Sequence, residues 1–305
     1  MASTRSPKLP VDIGQSVESH LKTWYQVLQQ LGRGGNATTF LVVATTGPYK
    51  GVLFAMKAFR ELAKPERRQS FLGEIQFLMT CNHPSVMRVF DEGLLQEKFP
   101  FVIAEYLPLT LRSVIRANNV SAVAKVSYVV QLLSALSYLA NLPTPVVHRD
   151  VKPENIFLKG QSCVLGDFGL MKTLDAHGPE DQESVKQSIG FGMPYCHRTP
   201  DLVHYLVDGE PPTCKSDVFQ LGLVAAELLT GENPQRPTNT FTDPVELNKV
   251  GPLRGAIRRV GGDLIQQMLV PEATQRDSAA DFLTRWSGAF ASLAKQTRDL
   301  EGKVF

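Results

Sequence analysis

With 305 residues and 43% apolar content, the chain can bury a sizeable core as one large two-lobed domain or two small ones. Its 32 basic and 30 acidic residues leave a net charge of only +2, which argues against a dedicated nucleic-acid binder, because phosphate recognition needs a concentrated basic excess. Cys81, Cys163, Cys196 and Cys214 form no CxxC pair and no zinc spacing, no apolar run reaches the roughly 18 residues of a membrane span, and the opening residues lack a signal peptide's apolar core, so a soluble cytoplasmic protein with reduced thiols is expected.

Residues 1–24 form an N-terminal extension, with Pro7, Pro10 and Gly14 and no sustained periodicity, and read as an extended arm. Short β-like runs follow at 25–31, 38–45 and 52–59, separated by Gly-rich punctuation that suggests hairpins. Phe71, Ile75, Leu78 and Met79 have helical spacing, which predicts a helix over 67–81. Two more strands are predicted at 86–90 and 101–105. After Tyr106 the texture turns helical. Ser121 is a plausible N-cap for a helix with Val126, Val129, Val130, Leu133 and Leu136 on its apolar face. The run 216–229 is apolar all round, as a buried central helix would be. Further helices are predicted at 263–269 and from Ser278 into Trp286. The reading is an α+β chain with a small β-rich lobe over 25–105, a larger α-helical lobe over 106–290 and a tail over 291–305. A cleft between such lobes is a common small-molecule site.

The run His148-Arg149-Asp150-Val151-Lys152-Pro153-Glu154-Asn155 is followed, twelve residues after Asn155, by Asp167-Phe168-Gly169. HRDVKPEN followed by DFG resembles the eukaryotic-type serine/threonine protein kinase family, and the resemblance covers about residues 25–286. It implies a two-lobed kinase fold and transfer of the ATP γ-phosphate to serine or threonine hydroxyls of a protein substrate. In the roles it implies, Asp150 accepts the hydroxyl proton and Lys152 neutralises charge at the γ-phosphate. Asn155 and Asp167 offer the hard oxygen ligands that Mg²⁺ prefers. The HRDxKxxN form, with Lys152, resembles kinases acting on serine or threonine.

The same resemblance makes Leu31-Gly32-Arg33-Gly34-Gly35-Asn36-Ala37-Thr38-Thr39 the glycine-rich loop over the ATP phosphates, where glycines let the backbone approach closely. Leu31, Gly32, Gly34 and Thr39 are then nucleotide contacts; Ala37 stands for the third glycine and Thr39 for the usual valine. Phe54-Ala55-Met56-Lys57 resembles the VAIK strand, with Ala55 beside the base and Lys57 on the α- and β-phosphates, paired to Glu74. Gly73 would weaken that helix. The hinge backbone at Glu105 and Leu107 would meet the adenine edge, and Phe157 completes the nucleotide-binding set. Ala104 and Gly166 are small where the pocket behind the adenine would lie, so bulky N6-substituted ATP analogues are expected to bind.

Thr199-Pro200-Asp201 resembles the APE triplet, with Arg276 as its ion-pair partner, and Asp217 would hold the His148–Arg149 turn. Two departures stand out. The stretch Gly190–Tyr195 offers no threonine for the Gly-Thr pair whose hydroxyl bridges the catalytic aspartate and lysine. Residues 234–255 are Pro-rich where a helix is usual, so a loop is expected there. Arg149 suggests a phosphate acceptor for Ser184 or Ser188 in the activation loop. A catalytically silent kinase-like binding module is the alternative; its usual mark is loss of a residue equivalent to Lys57, Asp150 or Asp167, and all three are present.

Overall fold

The computed structural model describes residues 9–34, 37–60, 72, 75–76, 78–167, 172–173, 197–238, 240, 242–253 and 257–301. The chain divides into two compact units: residues up to Asn82 together with Val86–Leu107, and His83–Ser85 together with Pro108 onwards.

The first unit is an antiparallel sheet in the order β1-β2-β3-β4-β6-β5. Its strands are β1 (Ser16–Glu18), β2 (Trp24–Arg33), β3 (Ala37–Ala44), β4 (Leu53–Phe59), β5 (Val89–Leu95) and β6 (Phe99–Glu105). Strict alternation along β3 and β4 drives one face inward: Phe40, Val42, Phe54, Met56 and Ala58 join Phe101 and Ile103 of β6 in the core. Tyr25, Phe54, Tyr49 and Phe90 meet edge-on, with centroids 5.1–5.9 Å apart. The described residues among 72–80 are helical, within the predicted helix. Gly73 and Glu74 lie outside the described residues.

From Leu9 onward, the N-terminal arm is part of this unit rather than an appendage. Leu9, Val11 and Val17 are buried in the sheet's core cluster, and β1 pairs with β2 as a sixth strand. Asp91 of β5 fastens the following turn: it accepts hydrogen bonds from Ser19 Oγ and from the Tyr25 hydroxyl at 3.2 Å. Single apolar residues spaced among polar ones left no period to read; pairing with β2 buries Val17, and contact with the sheet's core cluster buries Leu9 and Val11.

The second unit is mainly helical: α1 (Leu111–Ala117), α2 (Ala122–Ala140), α3 (Pro200–Asp208), α4 (Cys214–Thr230), α5 (Arg258–Met268) and α6 (Ala279–Glu301). Short strands β7 (Val146–Val147), β8 (Ile156–Lys159), β9 (Ser162–Leu165) and β10 (Lys172–Thr173) form two two-stranded ladders. Ser121 caps α2 as expected, its hydroxyl accepting from Ala124 N at 3.2 Å. α2 is, among the described residues, the one helix long and apolar enough to cross a membrane, yet Val126, Val129, Leu132, Leu133 and Leu136 are buried as core of this unit. α4 is buried from Ser216 through Leu228, and Gly231 ends it in the left-handed conformation.

α6 runs well past Trp286 and through the boundary drawn at residue 290. Phe282, Trp286, Ala289 and Leu293 extend the buried stripe at helical spacing, and no proline interrupts it. No helix occupies the described residues of 234–253; a bridge between Gln235 and Leu247 closes this loop on itself. His83–Ser85 belong to the second unit because the His83 ring stacks on Tyr138 at 5.1 Å and Leu165 N donates to Ser85 O at 2.9 Å.

Candidate active site

Helix α4 grips the backbone of residues 148–151. Asp217 Oδ2 accepts from His148 N and Oδ1 from Arg149 N, both at 2.8 Å. One turn on, Gln220 Oε1 accepts from Val151 N at 2.8 Å. Burial pushes the Asp217 carboxyl up to about 7, against the downward pull of those two N–H groups and of Arg149. The His148 ring is wholly buried. Its Nε2 lies 3.0 Å from Gly166 O and its Nδ1 accepts from Asp150 N at 3.3 Å, which defines one neutral tautomer. Desolvation accordingly lowers its pKa.

This scaffold presents Asp150. Lys152 Nζ lies 2.8 Å from its Oδ1 and 2.9 Å from its Oδ2. Burial pulls the Lys152 pKa down, but the Asp150 charge outweighs it and the net shift is upward, so the ammonium stays charged. Asn155 sits in a 3₁₀ turn over Pro153–Asn155 and donates Nδ2 to Asp150 O at 2.9 Å and to Asp150 Oδ2 at 2.7 Å. Both amide hydrogens are thereby used, and Oδ1 is left as the atom able to face a cation. Gly166 N donates to Asn155 O at 2.8 Å, continuing the β8–β9 register and bringing Asp167 next to this turn. Asp167 is half-buried with φ of 61°. An amide oxygen and a carboxylate are hard donors and fit a divalent cation such as Mg²⁺. Phe157, half-buried on β8, pairs with Val164 and bridges to Thr110.

An ion-pair brace backs this turn. Arg112 of α1 donates Nε to Glu154 at 2.6 Å and Nη1 to Glu227 of α4. Burial pushes the Glu154 carboxyl up, but the Arg112 hydrogen bond and charge win and lower its pKa. Neither this brace nor Gln220 was singled out from the sequence. The available signal was the pair of polar residues, Gln220 and Glu227, inside the otherwise apolar run from Val218 to Leu229.

In the first unit, Gly32 pairs with Thr39 and Arg33 with Thr38 across the β2–β3 hairpin, and Gly34 N donates to Ala37 O at 2.9 Å. Arg60, buried and missed in the sequence reading, steadies this turn through Gly34 O at 2.8 Å and Thr38 Oγ1. Thr39 faces Lys57, and Ala55 faces both Leu41 and Ala104, so Thr39, Ala55, Lys57 and Ala104 share the sheet face opposite the core. Lys57 Nζ lies 5.4 Å from the Phe59 ring centroid. Leu31 is partly exposed on β2, Glu105 ends β6 with its N–H on Arg88 O at 3.2 Å, and Leu107 follows half-buried.

Thr199 caps α3 through Leu202 N at 3.0 Å. Arg276 reaches Asp201 at 2.9 Å, the pair read from the sequence. Arg198 is buried against the 234–253 loop: its backbone exchanges bonds with the Gln235 amide, and its Nη1 donates to Asp243 O at 2.9 Å. Phe168, Gly169, Ser184, Ser188 and the stretch Gly190–Tyr195 lie outside the described residues.

A β-rich N-terminal unit, a helical C-terminal unit and this cluster belong together in one known architecture: the protein kinase domain model matches residues 25–286, and the chain belongs to that family. Among its relatives, the serine/threonine-protein kinase mos of Patiria pectinifera is 28% identical over 218 residues, 67% of this chain and 56% of that protein. The probable serine/threonine-protein kinase PknB of Bifidobacterium longum is 29% identical over 69% of this chain and 30% of its own length. The serine/threonine-protein kinase PrkC of Bacillus subtilis is 28% identical over 69% of this chain and 31% of its own length. The chain thus spans between about a third and about half of the relatives it matches.

Proposed function

We propose that this chain is an ATP-dependent serine/threonine protein kinase using Mg²⁺. The observation that carries this reading is the Asp150 carboxylate, held by Lys152 and Asn155 and backed by a buried neutral histidine. In the step proposed, the acceptor hydroxyl oxygen forms a bond to the γ-phosphorus and the bond to the β–γ bridging oxygen breaks. Asp150 orients the hydroxyl and takes its proton; ADP leaves. Lys152 offsets negative charge on the transferring group. Bound Mg²⁺ would supply charge neutralisation at the phosphates, with Asn155 Oδ1 and Asp167 as its protein ligands. Lys57, the glycine-rich hairpin with Leu31, Gly32, Gly34 and Thr39, and Ala55, Glu74, Glu105, Leu107 and Phe157 serve nucleotide binding. Family membership and the chain's similarity to serine/threonine-protein kinases support this assignment.

The test is incubation with Mg²⁺ and γ-labelled ATP, alone and with generic protein substrates, beside Asp150→Asn. Transfer by the wild type that the variant loses supports the proposal. ATP binding without transfer in the wild type would identify a silent binding module instead.

A further inference from the structure

Three hydrogen bonds converge on one buried amide that the catalytic scheme does not use. Gln220, 3% exposed, accepts from Val151 N at 2.8 Å and donates Nε2 to Arg149 O at 3.0 Å and to His197 O at 2.9 Å. The orientation of the amide is forced: a backbone N–H can only face its oxygen, and two carbonyls can only face its nitrogen. The two carbonyls belong to residues far apart in the sequence, one before Asp167-Phe168-Gly169 and the other just before Thr199-Pro200-Asp201. Both belong to non-glycine residues in the left-handed region, Arg149 at φ 66° and His197 at φ 68°. Such a conformation costs about 1–2 kcal/mol per residue and persists only where surrounding contacts over-determine it.

We propose that Gln220 is a positioning residue that locks the Asp150 loop to the segment entering α3, so that the proton acceptor and the start of α3 are set as one piece. This rests on the kinase reading above. His197 is continuous with a rigid anchor: Gln235 holds the backbone of Arg198, and Thr199 caps α3 and bonds Ser216 Oγ at 2.8 Å. Asp217, three residues before Gln220 on the same helix face, holds the preceding two amides, so α4 fixes residues 148–151 as a unit.

The experiment compares the wild type with Gln220→Met, which keeps the volume and removes the amide, and Gln220→Glu, which keeps the acceptor for Val151 but turns a second oxygen toward two carbonyls. Well below the melting temperature, both variants are expected to lose at least about tenfold in kcat while KM for ATP changes by less than about twofold. Amide exchange is expected to accelerate together in peptides covering 148–152 and 197–203. Should Gln220→Met fail to fold, Gln220→Asn keeps an amide on a stem one methylene shorter and is expected to show the same paired exchange change in milder form. A lower melting temperature with unchanged kcat, or faster exchange in only one of the two peptides, overturns the proposal. If the wild type transfers no phosphate, the kinase reading fails on its own, and the paired exchange still decides whether the tether exists.

Discussion

Replacing Arg276 by methionine removes a cation from one of the most enclosed sites in the chain. The Arg276 side chain is 0% exposed and that of Asp201 11%. Its guanidinium serves Asp201 Oδ2 at 2.9 Å, Lys215 O at 2.7 Å, Val270 O at 2.9 Å and Pro271 O at 2.7 Å, and lies 5.0 Å from the Phe219 ring centroid. Methionine fills most of the volume but leaves a largely buried carboxylate and three carbonyls without their donor. Breaking one partner out of a buried pair costs about 3–5 kcal/mol, because the remaining charge is uncompensated. At about 2–4 °C per kcal/mol for a domain of roughly 150–250 residues, the melting temperature of the second unit is expected to fall by about 6–20 °C. Scanning calorimetry measures this, and a double-mutant cycle identifies the cause. In the Arg276→Met background, Asp201→Asn is expected to restore stability, since it removes the stranded charge; in the wild type it is expected to destabilise. A drop of less than about 2 °C in the single variant, or an equal effect of Asp201→Asn in both backgrounds, refutes the reasoning.

Two further outcomes follow from buried geometry. His148 is held neutral below its ordinary pKa, so the unfolded chain takes up a proton near pH 6.5 that the folded chain resists. Stability is therefore lost as pH falls below that value, and urea midpoints at pH about 7.5 and about 5.5 should show the wild type losing up to about 1.4 kcal/mol more than His148→Gln; parallel profiles contradict it. Gly93→Ala would place a Cβ 2.5 Å from Phe101 Cζ and 3.2 Å from the Ser19 Cα. The Phe101 ring is fully buried and cannot retreat, so the first unit should lose about 1–3 kcal/mol in denaturant unfolding, and an unchanged midpoint would count against the packing described.

Much of the fold was legible because it is written in local period and punctuation. The alternation of Phe40, Val42, Phe54, Met56 and Ala58, and the all-round apolar run that became α4, each declare their environment without help from distant residues. The roles of Asp150, Lys152 and Asn155 were legible only through the resemblance of HRDVKPEN to the kinase family, and the structure adds that the three side chains touch within one short turn. What escaped was non-local. Val17 becomes core when β2 pairs with the arm, and Leu9 and Val11 when the arm packs on the sheet's core cluster, and nothing within the arm encodes either contact. Arg112, Glu154 and Glu227 come from three elements whose meeting depends on packing. Gln220 belongs to the same class, since its role lies in carbonyls at Arg149 and His197 that sequence spacing does not bring together. The extent of α6 was missed because the buried stripe thins to Ala289 and Leu293 beyond Trp286, too sparse to extend the period on pattern alone.

The proposed activity depends on the chemistry of the Asp150 cluster, and the identity of the phosphorylated atom reports on that chemistry most directly. After incubation with ATP and Mg²⁺ and a generic protein substrate, mass spectrometry of the products should find phosphate on serine or threonine hydroxyls, and none when Asp150→Asn replaces the wild type. Phosphate found equally with the variant, or carried by no protein side chain, would contradict the central claim.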